Sequence, residues 1–237
     1  MPISTKSQSP IENHLLAALP DEVYERLLPH LQPISFELGG VVYESSEQMD
    51  HLYFPTTCIV SLLYTMTDGA TAEMGLVGND GIVGIALFMG GNTVPNRAVV
   101  QVAGDAFRVQ APVIQEEFKL GGPCQLLLLR YTQALITQIS QTAVCNRLHS
   151  IEQRLCRWLL LSHDRVRSME LRLTQEFIAN MLGVRREGVT KAASHLQEAG
   201  LIRYVRGHIT ILDRPGLEAA SCECYQVVKT EFDRLLG

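Results

Sequence analysis

The chain has 237 residues, 46% of them hydrophobic and 19% charged, a length that accommodates one large domain or two modest ones with proper cores. That balance excludes a disordered acidic or basic tail and a low-complexity fibre. The net charge of −5 is unevenly spread: residues 1–146 hold 6 Lys and Arg against 14 Asp and Glu, residues 147–214 hold 12 against 7, and residues 215–237 hold 2 against 4. An acidic body with one basic block is the electrostatic footprint of a single domain that meets a polyanion.

No apolar run reaches the about 20 residues of a membrane span, and the N-terminal residues carry no signal-peptide pattern, so a cytoplasmic location is expected. The six cysteines, at positions 58, 124, 145, 156, 222 and 224, are scattered through a chain large enough to fold without staples and are expected to be free thiols. Residues 11–31 place Leu15, Leu16, Leu19, Val23, Leu27 and Leu28 at helical spacing, with Pro20 opening a second helix. From Ile34 to Ala111 the chain turns to short runs rich in β-branched and aromatic residues, among them 41–43, 51–54, 58–64, 97–102 and 106–109. Turn dipeptides separate them, which reads as an all-β sandwich or roll.

Pro123 then opens a stretch without Gly or Pro that predicts a long helix from Cys124 to about Asn146. Two apolar stripes run along it, Leu128, Tyr131 and Leu135 on one, and Leu129, Ile136, Ile139 and Ala143 on its neighbour. A helix apolar on more than one face has two surfaces to cover, so one stripe is expected on the β domain and the other on a second copy. Leu128, Tyr131, Leu135, Ile136 and Ile139 mark this as the dimerisation helix. Residues 147–163 continue with helical spacing at Leu148, Ile151, Leu155, Trp158 and Leu159, and open the basic domain.

Leu173 to Asp213 carries the most information. Thr174 is placed to N-cap a short helix that ends at Gly183, and a second helix runs from near Arg185 to Ala199, capped by Gly200. Ala179, Gly183 and Val189 satisfy the small residue, the tight turn and the branched apolar lock of a helix-turn-helix. Leu201 to Asp213 alternates around Arg206-Gly207 as a β-hairpin, the wing of a winged helix-turn-helix. In a major groove, Arg186 can reach guanine, Glu187 can accept from cytosine, and Lys191 can serve a base or a phosphate. Thr174, Gln175, Arg185, Thr190, Arg203, Arg206 and His208 lie where contacts to the DNA backbone would set the register.

A helical preface with a β-roll, a long helix and a winged helix, in that order, resemble the Crp/Fnr family of bacterial transcription regulators over nearly the whole chain. The likeness is strongest at 173–201, where Arg186, Glu187 and Lys191 match the three base-reading positions. The resemblance implies an α+β protein with an N-terminal double-stranded, jelly-roll-like β-roll of the cyclic-nucleotide-binding type at 1–122, a dimerisation helix at 123–146, and a winged helix-turn-helix with a C-terminal helix at 147–237. It also implies a homodimer on a palindromic, double-stranded DNA site, modulated by a signal at the roll, with RNA polymerase as a further partner.

The family usually has Ser or Thr after the Glu, and Gly188 removes that hydroxyl. The family's cyclic-nucleotide pocket corresponds to Gly84-Ile85 and Arg97-Ala98, which makes these four the effector-pocket candidates. With no Glu for the ribose and no hydroxyl beside Arg97, cyclic AMP in the usual mode is not expected. The first cysteine is Cys58, so the family's N-terminal iron–sulfur cluster is not expected either. His51 is a candidate haem ligand, with a structural role beside Tyr53 as the competing reading.

Cys222 and Cys224, placed on a terminal helix, point to different faces and make a weak metal clip, so no metal site is expected, with a redox-responsive thiol as the other reading. The β segment holds only one histidine and no catalytic constellation, so an enzyme is not expected. The remaining alternative is a cyclic-nucleotide-binding-like adaptor whose winged helix binds a protein partner.

Overall fold

The computed structural model describes residues 9–166 and 170–237. Asn13 accepts hydrogen bonds from the backbone of Leu15 and Leu16 and so starts α1 (His14–Ala17), followed by α2 (Asp21–Leu27). Seven strands follow: β1 (Gln32–Phe36), β2 (Val41–Tyr43), β3 (His51–Pro55), β4 (Ile59–Thr65), β5 (Thr71–Val77), β6 (Arg97–Val102) and β7 (Gly104–Gln110). They form two antiparallel sheets, ordered β1-β7-β3 and β2-β6-β4-β5. In register, Phe54 lies opposite Phe107 and Leu62 opposite Ala98, and the inward residues of both sheets share one core with Leu15, Leu16 and Leu27. This is the expected roll. It contains two strands that the sequence pattern did not single out, β1 and β5; in β5 the residues Ala72, Glu73, Met74 and Gly75 have little strand propensity, and pairing with β4 holds them.

Next come α3 (Ala111–Lys119) and α4 (Gly122–Leu148), a helix of 27 residues. Leu128, Tyr131 and Leu135 of α4 are buried in the roll's core, where the Tyr131 hydroxyl donates to the Ile82 carbonyl at 3.0 Å. Then α5 (Ile151–Asp164) starts at Ser150, whose capping box with Gln153 breaks the chain's helical path after α4. Beyond it lie β8 (Glu170–Arg172), α6 (Gln175–Leu182), α7 (Arg186–Glu198), β9 (Ile202–Val205), β10 (His208–Ile211), α8 (Arg214–Ala220) and α9 (Glu223–Leu236). β8, β10 and β9 form a three-stranded sheet, so the hairpin expected from sequence gains a third strand. Among the described residues all six cysteines are free, and no helix is long and apolar enough to cross a membrane.

A further side of α4, distinct from the outer apolar stripe, meets the protein's own terminal helix. α9 returns antiparallel along it, with Phe232 edge-on to Tyr131 at 6.4 Å, Gln133 bonded to Glu231, and Cys222 beside Cys145. What stays exposed on α4 is the row Leu126, Leu129, Gln133, Ile136, Ser140 and Ala143, at alternating steps of three and four, with Gln133 at its border with α9 and Leu126, Leu129 and Ile136 each about half exposed. Of the five residues that the sequence pattern placed on the dimerisation helix, Leu128, Tyr131 and Leu135 are therefore in the protein's own core. Ile139 is half-buried against the roll, and Ile136 faces outward.

α5 joins the two halves. Trp158, Leu159 and neighbouring residues form one core with Ile59, Leu63 and Leu76 of the roll on one side and with Ile178, Val189 and Leu196 on the other. Polar links also cross the seam: Gln101 donates to Ser162 at 2.9 Å, and the Trp158 indole donates to Glu73 at 2.9 Å. Burial raises the Glu73 carboxyl to about 7, against the pull of Ser61, Trp158, Arg157 and Arg165.

A carboxyl whose pKa is raised on folding binds a proton that the unfolded chain has already released, so stability falls as pH rises from the ordinary 4.5 to about 7 and then levels off. Urea unfolding between pH 4.5 and 8 is expected to show this decline, roughly 3 kcal/mol across the window, and Glu73→Gln is expected to remove it. Parallel curves for the two proteins would show that Glu73 is already ionised in the fold.

Candidate nucleic-acid interface

The helix-turn-helix is built from local chemistry. The Thr174 hydroxyl oxygen accepts from the Phe177 amide at 3.1 Å and caps α6. Gly183 ends α6 with φ +61°, and the Val184 amide donates to the Ala179 carbonyl at 3.0 Å, which turns the chain into α7. Ala179 and Val189 are buried between the helices. Arg154 of α5 donates to the Leu182 carbonyl and holds the end of α6 from below.

The same packing decides which residues of α7 stay outside. Val189, Ala192, Ala193 and Leu196 are buried, and Arg185, Arg186, Glu187, Thr190, Lys191 and Ser194 are exposed. Thr190 can donate to Gln175 Oε1 at 2.8 Å or back to the Arg186 carbonyl at 3.0 Å, which ties the first turn of α6 to α7. Gly188 faces α5, where an added Cβ would fall 2.7 Å from Ile151 Cδ1. A hydroxyl-bearing side chain at this position would need Ile151 to move aside, which gives a packing reason for the glycine.

Thr174, Gln175, Arg186, Arg206, Gly207 and Tyr204 line a cleft of about 310 Å³ between the start of α6, the start of α7 and the wing. Four of these six are residues the sequence had singled out. Tyr204 was missed because its signal, one aromatic in an alternating strand, is shared by any half-buried β residue. Its hydroxyl donates to the Leu173 carbonyl at 2.8 Å, and the Arg186 guanidinium offsets part of the rise that burial imposes on the phenol. On the outer face of the wing, Arg203, Arg206 and His208 gather with Glu170, and the His208 ring nitrogen Nδ1 is in contact with the Glu170 carboxylate. Among the described residues Arg185, Arg186, Lys191, Arg203 and Arg206 have no ion-pair partner, while most cations elsewhere on the molecule do, as in Arg26–Glu117, Arg165–Asp80 and Arg214–Asp164.

The effector-pocket candidates do not converge. Gly84 and Ile85 line an apolar cavity of about 110 Å³ with Tyr43, Leu62, Leu135 and Ile139. Arg97 bonds Glu44 at 2.9 Å on the other side of β6, and Ala98 is packed into the core. They separate because the side chains of adjacent strand residues point to opposite faces. His51 lies on β3 with its ring 6.3 Å from that of Tyr53.

An antiparallel β-roll joined by a long helix to a winged helix-turn-helix defines the class of this protein. Residues 153–220 match the Crp-like helix-turn-helix domain family. A protein described as a transcriptional regulator of the Crp/Fnr family from Eubacterium rectale has a similar structure, with a TM-score of 0.68 and 19% identity over 87% of this chain and 96% of its own. FixK2 from Bradyrhizobium japonicum superposes with a TM-score of 0.68 at 16% identity, over 81% of this chain and 98% of its own. The c-di-GMP-responsive global regulator CLP of Xanthomonas campestris does so with a TM-score of 0.65 at 17% identity, over 82% of this chain and 100% of its own. No curated protein matches the sequence. The C-terminal half thus carries a Crp-like helix-turn-helix domain, and the chain as a whole has the fold of the Crp/Fnr transcription regulators.

The wing turn holds Arg206 at φ +50° and Gly207 at φ +80°, both left-handed, in a two-residue loop between β9 and β10. That geometry favours Asn-Gly over Arg-Gly, so Arg206→Asn is expected to raise stability by about 0.5–1 kcal/mol. Chemical denaturation measures this directly, and an unchanged or lowered midpoint would mean that the arginine bears no strain in the turn.

Proposed function

We propose that the protein is a sequence-specific DNA-binding transcription regulator that reads an inverted repeat as a homodimer, with its affinity modulated by a signal at the β-roll. The observation that carries this reading is the set of exposed groups Arg186, Glu187 and Lys191 on the first turns of α7, flanked by Arg185, Arg203 and Arg206, none of which has an ion-pair partner among the described residues. An exposed cation without a counter-ion is already poised for phosphate, and an Arg beside a Glu at a helix N-terminus offers the donors and acceptor that discriminate guanine and cytosine edges. Gln175 and Thr190, already bonded to each other, would fix the register against the DNA backbone together with Thr174, Arg185, Arg203 and Arg206. His208 would join them only by exchanging Glu170 for a phosphate.

The open row Leu126, Leu129, Gln133, Ile136, Ser140 and Ala143 supports a parallel pairing of two α4 helices, which would present two reading helices across a two-fold axis. Half-sites about 34 Å apart follow from that symmetry. The cavity at Gly84 and Ile85 is also lined by Leu135 and Ile139 of α4, so an occupant of the roll would bear on the dimer helix. Its apolar lining and the Arg97–Glu44 pair favour a small apolar effector over a cyclic phosphate.

Selection from random duplex DNA is expected to enrich an inverted repeat, and Arg186→Ala to weaken that site by about 1–3 kcal/mol while leaving random DNA nearly unaffected. Equal losses on both would reassign Arg186 to the phosphates. Arg206→Asn is expected to weaken specific and random DNA alike and to reduce the salt dependence of binding by about one phosphate contact. A salt-insensitive, weak interaction with every duplex would instead favour an adaptor whose winged helix binds protein.

A further inference from the structure

Cys145, His149, Cys222 and Cys224 are brought together from positions 73 to 79 residues apart in sequence, and their four ligand atoms all lie within 4.8 Å of one another. Cys145 lies in the last turn of α4, with His149 four residues on at its C-terminal cap. Cys222 is the N-cap of α9, with extended backbone, and Cys224 is in the first turn of that helix. The N-cap position matters, because two thiols at i and i+2 diverge inside a helix, whereas with the first of them on extended chain both reach the same point.

We infer that these four residues form a tetrahedral Cys3His site for a zinc ion that fastens the start of α9 to the end of α4. The distances fit the ion. Zn–S bonds of about 2.3 Å and Zn–N bonds of about 2.0–2.1 Å set the edges of the tetrahedron at about 3.8 Å between sulfurs and about 3.6 Å between sulfur and nitrogen. The Cys145 and Cys222 sulfurs are 3.5 Å apart, and the Cys224 sulfur is 3.6 Å from His149 Nδ1. The imidazole is oriented for ligation, since Nδ1 faces the thiols and Nε2 lies 3.3 Å from the Glu223 carboxylate, the partner that commonly fixes a metal-bound histidine.

Charge points the same way. Arg154 and Arg157 are only 7% and 4% exposed, and among the described residues neither has an ion-pair partner. Both interact electrostatically with Cys145. A divalent ion with three thiolates and a neutral imidazole carries one net negative charge, which would offset these buried guanidiniums. Three of the four ligands are buried cysteines and all four corners are filled by protein, which is the character of a structural site rather than a catalytic one. A thiolate-rich tetrahedral set selects zinc over magnesium or calcium.

The test uses the full chain and needs no DNA, so its failure would leave the DNA reading untouched. Protein purified under reductant is expected to contain one zinc per chain by elemental mass spectrometry. After removal of the metal, cobalt is expected to restore the intense visible bands of a tetrahedral ion with thiolate charge-transfer absorption, and zinc to abolish them stoichiometrically. Zinc is expected to raise the unfolding temperature by roughly 5–10 °C. Cys145→Ser and Cys224→Ser are expected to lose the cobalt spectrum, while Cys58→Ala, in the roll core, retains it. The inference is overturned if the wild-type chain takes up neither ion, if Cys145 and Cys222 are found as a disulfide in a metal-free protein, or if both serine variants keep a bound ion with the wild-type spectrum. Should the serine variants fail to fold, the stoichiometry and cobalt spectrum of the wild type decide the matter.

Discussion

The docking of α5 between the β-roll and the helix-turn-helix is the constraint on which the rest of this structure depends. Nine of its 14 residues are buried, including two arginines and Trp158. A helix covered on opposite faces cannot be moved without uncovering both, so the roll and the helix-turn-helix share one apolar core. The polar links through Ser61, Gln101 and Ser162, and through Glu73 and Trp158, add direction to that contact, because a buried hydrogen bond is satisfied in one geometry only. Arg165 extends the tie at the far end of α5, with its guanidinium bonded to Asp80 of the roll and set over the Phe232 ring of α9.

From this arrangement follows the separation of charge. In α2 and the roll, Arg26 and Arg97 are neutralised by Glu117 and Glu44, whereas among the described residues the edge formed by α7 and the wing keeps its arginines unpaired. Leaving cations unpaired at a surface costs little, because water solvates them, and it keeps them available to a polyanion. Arg206 in a left-handed turn is the sharper case, since a residue that fits the turn poorly carries the charge at the tip of the wing.

The long helix α4 links the roll cavity, the terminal helix and the open row of Leu126, Leu129 and Ile136. Leu135 and Ile139 touch the cavity, Tyr131 and Cys145 touch α9, and the row of Leu126, Leu129 and Ile136 stays exposed. A displacement of this one rigid element would be felt at the roll cavity, the terminal helix and the exposed row alike.

Wherever geometry depends on neighbours along the chain, the amino-acid sequence by itself determines it. Ala179, Gly183 and Val189 specify a tight turn between helices through contacts a few residues apart, Thr174 caps its own helix, and Arg206-Gly207 closes its own hairpin. The exposed row of α7 follows from helical period alone. The tertiary structure decided whatever rests on distant partners. β5 is a strand because β4 pairs with it, and β8 because β10 does. α9 packs against Tyr131 and Cys145 of α4, a cover that no pattern along the chain announced, since an apolar stripe advertises that it must be buried but not by what. Arg97 and Gly84, close along the chain, lie on different faces of the roll, while Cys145 and Cys222, far apart along it, lie side by side. Residue type and period act over one turn of helix or one pleat of strand, and only the packing of whole elements determines which of those local surfaces meet.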